Sequence, residues 1–200
     1  MLARLLQLSL IASFLASFLA FAAAHAVADP KGDFLAGAAA QIGRTVTYDG
    51  AYVSLSYPGG DVPISTGVCT DVVIRAFREI GIDLQKEVHE DMKKSFAAYP
   101  HLWNLRSPDP NIDHRRVPNL MTWFKRRGKA MPVSREAADY KPADIVAWRI
   151  PDGRPHIGIV SSELSEQQPD RYKIIHNIGA GAQCEDRLFD FEIIGHYRYF

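Results

Sequence analysis

The stretch GVCTDVVIRAFREIG, residues 67–81, contains the helical pattern around which the fold can be built. From residue 69 to residue 80 its apolar side chains recur at the spacing of one helix face. Gly81 follows directly and is a suitable C-terminal stop. The stretch therefore predicts an amphipathic helix with Cys69 at its start.

Three more helices are predicted from the same kind of pattern, at residues 33–43, 84–98 and 117–127. After them the period changes, and short β-branched or aromatic runs stand between turn residues at 144–150, 156–161, 172–177 and 191–199. Helices followed by neighbouring strands predict an α+β domain, in which N-terminal helices pack on a small antiparallel sheet.

Residues 1–28 have the pattern of a secretory signal peptide, with Arg4 as the lone charge before a long apolar run. Small residues offer cleavage near Ala26 or Ala28. An uncleaved membrane anchor is the alternative, because about 20 apolar residues can span a bilayer. We expect cleavage, a periplasmic or secreted protein, no stable membrane insertion afterwards, and a single domain over residues 29–200.

The charges of the chain are balanced, with 23 Lys and Arg residues against 23 Asp and Glu residues. This balance gives no reason to expect nucleic acid or an anionic membrane as a partner, and no protein partner is indicated. The chain has two cysteines, Cys69 and Cys184. In an oxidising compartment a disulfide between them is the simplest structural expectation, and it would exclude a catalytic thiol.

Cys69 is a candidate nucleophile because of its position at the start of a helix. Unpaired backbone N–H groups and the helix dipole there favour a thiolate over a thiol. The same amides are suited to binding an oxyanion. The charge of Asp71, in the same turn, would oppose a thiolate unless it points away.

His156 is the candidate general base. It begins a predicted strand whose alternate residues are apolar, so its side chain can face a cleft while its neighbours hold the core. A neutral imidazole near Cys69 can take the thiol proton and later return it to a leaving amine. His176 on the following strand can orient the ring if the strands pair. Asn177 is the competing orienter, although its side chain should point to the other face of the sheet.

Several short motifs follow one another in the order seen in NlpC-type cell-wall cysteine peptidases. They are Tyr57-Pro58-Gly59-Gly60, Gly67-Val68-Cys69-Thr70-Asp71, Pro142-Ala143-Asp144-Ile145-Val146, His156-Ile157-Gly158-Ile159 and Ile175-His176. The chain also resembles domain-of-unknown-function family 1287 of exported bacterial proteins, through residues 67–75, 88–92, 111–120 and 156–160. Thr70-Asp71 and Ala143 depart from the NlpC pattern, which has Ser-Gly and Gly at these positions.

The resemblance implies a papain-like fold, so that residues 29–200 would form a single papain-like hydrolase domain. It also implies amide hydrolysis, with peptidoglycan stem peptide as the substrate. In this interpretation Cys69, His156 and His176 form a Cys-His-His triad, and covalent chemistry of this kind needs no metal or organic cofactor.

A second set of residues is assigned to substrate binding: Tyr57, Asp71, His114, Arg115 and Asn177. Tyr57 would line the site, and the charged run around Arg115 would grip carboxylates of the substrate. The structural alternatives are that Tyr57 only packs and that the charged run is a hydrogen-bonded loop beside the cleft. A metal site is a less favoured alternative because no further ligand stands at metal-site spacing; its residues would be His89, Asp91, Asp113 and His114.

The sequence therefore predicts an exported cysteine hydrolase, a peptidase or amidase, that cleaves an amide bond in peptidoglycan peptides. The alternative from another class is a non-catalytic periplasmic binding module for wall peptide or for a protein partner. Acyl transfer by the same triad is a third interpretation.

Overall fold

The computed structural model describes residues 29–200, and the predicted signal peptide at residues 1–28 lies outside the described residues. The helices are α1 (Pro30–Ala39), α2 (Cys69–Glu79), α3 (Leu84–Ser95) and α4 (Val117–Arg126). The strands are β1 (Thr47–Tyr48), β2 (Thr66–Gly67), β3 (Ala130–Met131), β4 (Ile145–Arg149), β5 (Pro155–Leu164), β6 (Tyr172–Asn177), β7 (Ala182–Glu185) and β8 (Glu192–Tyr197). Short 3₁₀ turns lie at Phe96–Ala98, Asp113–Arg115 and Ala137–Asp139.

Helix ends are fixed by capping side chains and by glycine. At the start of α3, Asp83 accepts a hydrogen bond from the backbone N–H of Gln85 at 3.1 Å. After α2, Gly81 adopts a φ of 75°, which glycine reaches without the steric cost of a Cβ atom. Because these signals are local, the predicted ends of α2 and α4 agree with the structure to within one residue.

The first helix begins earlier than the sequence predicts. The predicted helix begins at residue 33, whereas in the structure Asp29 caps α1 and accepts from the N–H of Gly32 at 2.9 Å. Pro30 stands in the first turn, where its fixed φ and missing N–H cost nothing. Within residues 29–200, no helix combines the length and the apolar character that crossing a bilayer would require.

Six strands form one antiparallel sheet in the order β3-β8-β4-β5-β6-β7. The four predicted strands supply β4, β5, β6 and β8, and the α+β class with an antiparallel sheet is confirmed. The short edge strands β3 and β7 were not predicted. Strand β3 has only two residues, and β7 has no β-branched or aromatic residue. The separate pair β1 and β2 is parallel and brings Tyr48 beside Gly67, at the start of α2.

Hydrophobic clusters cover both faces of the sheet, and the face on which a side chain lies decides its place relative to the site. Helix α2 packs on one face through a cluster that includes Phe77, Ile157 and Ile159. The opposite face carries a second cluster around Trp148 and Val160. Successive side chains along β5 alternate between these two layers. His156 therefore lies on the Trp148 side, with ring centroids 5.8 Å apart, while its neighbour Ile157 lies on the α2 side.

The Ala143→Gly variant is expected to raise the free energy of unfolding by up to about 1 kcal/mol. Ala143 has a φ of 74°, where its Cβ crowds the backbone. This is the position at which the NlpC pattern carries glycine. Urea unfolding of Ala143→Gly beside Ala36→Gly, an exposed α1 control expected to lose about 1 kcal/mol, measures the difference. Equal destabilisation by both variants would contradict strain at Ala143.

Candidate active site

Cys69 is the first residue of α2, and only 4% of it is exposed. Its sulfur interacts with the backbone N–H groups of Thr70 and Ile157 and with the hydroxyl of Tyr48. Ile157 follows His156 on β5, so this contact joins the start of α2 to the strand that carries the candidate base. Both Cys69 and Cys184 are free thiols, and the alternative of a disulfide between them is not formed.

Burial decides the ionisation of Cys69. Desolvation raises the pKa of the thiol to about 11, and the negative charge of Asp71 adds to this. The N–H groups of Ile157 and Thr70 and the hydroxyl of Tyr48 act in the opposite direction but are outweighed. The expectation that the helix N-terminus favours a thiolate is therefore wrong for the resting protein, which holds Cys69 as a neutral thiol.

His156 and His176 are brought together across β5 and β6. Nε2 of His156 lies 2.8 Å from Nδ1 of His176, and both residues are almost fully buried. Asn177, the competing orienter, points to the other face of the sheet and donates to the carbonyl of Gly67 at 3.0 Å. Of the two candidates, the structure thus places His176 against the base and gives Asn177 the task of tying β6 to the residues before Cys69.

Both histidines are neutral at neutral pH. Burial, with a smaller contribution from His176, lowers the pKa of His156 to about 3. Burial also lowers the pKa of His176, although Glu185 acts to raise it. A neutral imidazole has one unprotonated ring nitrogen and can accept a proton. The pair therefore meets the first requirement of a general base.

Cys69 and His156 face adjoining cavities. The cavity at Cys69 has a volume of about 510 Å³, and the cavity at His156 has a volume of about 270 Å³. The two share a wall made by Tyr48, Arg154 and Pro155. Within residues 29–200 no hydrogen bond joins the sulfur of Cys69 to the ring of His156. Tyr48 therefore stands between the two side chains and borders both cavities.

Asp71 and Arg115 form a buried ion pair behind the Cys69 cavity. Nη2 of Arg115 lies 2.9 Å from Oδ2 of Asp71, and the side chains are 2% and 3% exposed. Asp71 also accepts from the N–H of Val68 at 2.7 Å. Arg115 donates further to the carbonyls of Asp49 and Ala51. The donors of Arg115 are thus engaged within the protein, where they fasten residues 49–51 to the start of α2.

Two other arginines are the more accessible cations of the cavity. The guanidinium of Arg116 lies 4.2 Å from the centre of the Trp103 ring and 3.2 Å from Asp113. Arg154 is largely exposed and pairs with Asp152. Among the described residues, no acidic side chain lines this cavity. Its wall is therefore cationic and aromatic.

Two residues assigned to substrate binding are not brought to Cys69. Tyr57 donates from its hydroxyl to Glu90 at 2.9 Å, and its ring packs against His89. His114 is 2% exposed, and burial lowers its pKa to about 3. Neither residue lines the Cys69 cavity. For Tyr57 the structure gives the packing alternative, and for His114 it gives a buried position beside the Arg115 ion pair.

Sequence patterns missed three side chains of the site. Tyr48 lies in a two-residue strand that is not among the four predicted strands, and it interacts with the thiol of Cys69. Glu185 lies 3.0 Å from Nε2 of His176, on a strand that was not predicted. Arg154 follows a turn and carries no local signal. Within residues 29–200, no group of three or more His, Cys, Asp or Glu side chains is arranged to hold a metal ion.

The free energy of unfolding is expected to decrease as the pH is lowered, because the buried ring of His156 resists protonation. Its pKa is about 3 in the native state and about 6.5 when unfolded, so folding favours the neutral ring. This contribution is complete above pH 6.5 and is lost as the pH falls toward 3. Urea unfolding across this range should show a shallower acid loss for His156→Gln than for the wild type. Exposed His101→Gln is the control, and identical pH profiles for all three proteins would contradict the buried neutral ring.

Comparison with known proteins relates this chain to one family. The model of a family described as a domain of unknown function, DUF1287, matches residues 35–199. "Uncharacterized protein YijF" of Escherichia coli (strain K12) is 58% identical over 164 residues, which are 82% of this chain and 79% of that protein. The family match includes Cys69, His156, His176 and Glu185.

Proposed function

This chain belongs to the DUF1287 family, and from that premise we propose that it is an exported cysteine hydrolase. Its fold is of the papain-like, NlpC type, and it cleaves an amide bond in peptidoglycan peptides. The observation that carries the proposal is the 2.8 Å pair of His156 and His176, with His156 in a cavity that adjoins the one lined by Cys69. A nucleophile, a base and a group that orients the base are the parts that acyl transfer needs.

The reaction starts from a neutral thiol on Cys69 and a neutral imidazole on His156. His156 takes the thiol proton on Nδ1 while the sulfur of Cys69 attacks the carbonyl carbon and forms a C–S bond. His156 then gives this proton to the leaving amine as the C–N bond breaks, which leaves a thioester. Water then attacks the thioester and gives a proton to His156, the C–S bond breaks to release the carboxylic acid, and the thiolate of Cys69 takes back the proton from His156. Because the pKa of Cys69 is about 11 and that of His156 about 3, the first proton transfer accompanies the attack.

Tyr48 provides a hydrogen-bond donor at the reacting sulfur. Burial raises the pKa of its hydroxyl to about 12, so the group stays protonated during turnover. A donor held beside the nucleophile can stabilise the oxygen that becomes negative in the tetrahedral intermediate. The N–H of Val68 is already used by Asp71 and does not serve this purpose.

The cavity wall favours a substrate that carries carboxylates. Arg116 and Arg154 line it together with Trp103 and Tyr52. Arginine binds carboxylates with two parallel hydrogen bonds, and aromatic faces pack on peptide or sugar. Peptidoglycan stem peptides carry free carboxylates and amides, and the signal peptide expected at residues 1–28 would bring the protein to them.

Arg116→Ala is expected to raise KM about 10-fold with kcat little changed, because it removes a contact made equally before and during the reaction. Steady-state rates on a purified muropeptide measure both constants. Arg149→Ala, whose side chain is 55% exposed and pairs with Glu192, is the control. An unchanged KM for Arg116→Ala would show that this guanidinium does not hold the substrate.

The direct test of the function is turnover of a muropeptide mixture by the purified protein. Hydrolysis releases new amino groups and new carboxylates in equal amounts. An added amine acceptor separates acyl transfer, since it would appear in a new amide product. Chromatograms that stay unchanged over long incubation, at neutral and mildly acidic pH, would refute the enzyme.

A binding module is the second candidate, and one observation favours it. Cys69 is a neutral thiol without a hydrogen bond to His156 in the resting protein. In a binding module the cavity at Cys69 recognises wall peptide and no bond is broken. Calorimetry with a muropeptide that binds but is not consumed would support this candidate over the hydrolase.

A further inference from the structure

The hydrogen-bond chain behind His156 continues to a carboxylate. Nε2 of His156 lies 2.8 Å from Nδ1 of His176, and Nε2 of His176 lies 3.0 Å from Oε2 of Glu185. On β7, Gln183 stands opposite His176 and Glu185 stands opposite Ile174. Glu185 is thus a diagonal neighbour of His176 on the same face of the sheet, within reach of a long side chain.

The chemistry of the three groups fixes where the protons lie. An ionised carboxylate only accepts hydrogen bonds, so Nε2 of His176 must carry a proton. Nδ1 of neutral His176 is then a bare acceptor, and Nε2 of His156 must donate to it. Neutral His156 has no second ring proton, which leaves its Nδ1 unprotonated. One carboxylate thereby sets the tautomers of two rings.

Without the carboxylate of Glu185, the positions of the protons on the two rings would no longer be fixed. Two neutral imidazoles in contact can hydrogen-bond in either direction. In the reversed direction Nδ1 of His176 donates to Nε2 of His156, and His156 then holds its proton on Nδ1. A ring in that tautomer cannot take a proton on Nδ1.

We propose that Glu185 is a positioning residue that holds His176 and His156 in their Nε2–H tautomers, so that His156 offers an unprotonated Nδ1 as the base. Its consequence for turnover rests on the proposed hydrolase function, whereas the tautomers themselves do not. When His156 takes the thiol proton, the same chain connects the new positive charge to the carboxylate.

The groups around Glu185 support this orientation. Arg187 lies 3.5 Å from the other carboxylate oxygen, Oε1, and leaves Oε2 to His176. Arg187 is itself held by Asp190 at 2.8 Å. The charged or titratable groups that act on His176 are Glu185, Arg187 and Asp190, and His156 faces it from β5. Burial keeps both rings neutral, so what Glu185 selects is the position of the proton.

Nitrogen-15 NMR of the histidine rings tests the tautomers directly. In the wild type at neutral pH, both His156 and His176 are expected as Nε2–H tautomers. Glu185→Leu removes the acceptor and should put a measurable fraction of both rings in the Nδ1–H form. Glu185→Gln keeps one acceptor oxygen and should give an intermediate fraction. Glu192→Leu, at a side chain that is 66% exposed on β8, is the matched control and should leave both tautomers unchanged.

Turnover supplies the second arm of the test. Glu185→Leu should lower kcat roughly 10- to 100-fold, as removal of a group that orients a functional histidine does elsewhere. KM should stay within about twofold, and Glu185→Gln should recover part of kcat. Unchanged tautomers in Glu185→Leu, or a kcat equal to that of Glu192→Leu, would overturn the proposal. If the wild type hydrolyses nothing, the proposed function fails, and the NMR spectra alone decide the role of Glu185.

Discussion

Replacing Cys69 by alanine is expected to abolish muropeptide turnover, with a loss of at least about 10³-fold in kcat/KM. The thioester cannot form without the sulfur. The rate of amine release, measured on protein that has been shown to be folded by circular dichroism, gives the result.

Two matched proteins make this prediction specific. Cys184→Ala removes the other thiol, which lies on β7, and should keep full activity. Cys69→Ala should still bind muropeptide in calorimetry, because the cavity wall formed by Arg116 and Trp103 is unchanged. Turnover by Cys69→Ala at the wild-type rate would exclude Cys69 as nucleophile. If neither the wild type nor Cys69→Ala turned over muropeptide, and Cys69→Ala still performed the biological function, the binding module would be favoured.

Arg115→Met is expected to lower the free energy of unfolding by about 3–5 kcal/mol. The substitution leaves the carboxylate of Asp71 buried without its cation, since Asp71 is only 2% exposed. It also removes the donors to the carbonyls of Asp49 and Ala51, so the segment beside Tyr48 loses its attachment to α2. Urea unfolding at neutral pH measures the loss.

The controls separate burial from charge. Arg149→Met breaks a pair with Glu192 whose side chains are 55% and 66% exposed, and it should cost no more than about 1 kcal/mol. The double variant Asp71→Asn with Arg115→Met should cost less than the sum of the single changes, because the unpaired buried charge is gone. A loss below about 1 kcal/mol for Arg115→Met would contradict the assigned importance of this pair.

Local patterns were sufficient to predict the central elements of the fold. Helix α2 has a buried face at helical spacing and a glycine after its end, and both signals lie within its own residues. The strands β4, β5 and β6 are apolar runs between turns. The edge strand β7 carries no such pattern, because its pairing with β6 and not its composition makes it a strand. For the same reason Glu185 could not be assigned to the site.

The candidate site was predicted in part. The choice of His176 over Asn177 follows from the alternation of side chains along β6. This alternation can be read from the sequence once the strand has been predicted. The ionisation of Cys69 was not predictable, since the helix dipole is a local property and burial under Tyr48 and Ile157 is a tertiary one. The sequence left two roles open for Arg115 for a similar reason, and its contacts are those of the hydrogen-bonded loop. An arginine in a loop suggests a ligand for substrate, whereas its buried partner Asp71 is visible only in the folded chain.

The most direct measurement of the central claim is the mass of the protein during turnover. The reaction with a muropeptide is stopped with acid, and peptides of the protein are analysed by mass spectrometry. A thioester predicts an added acyl group on the peptide that contains Cys69, present in the wild type and missing from Cys69→Ala. Product release without any modified Cys69, or an acyl group on another residue, would contradict the proposed reaction.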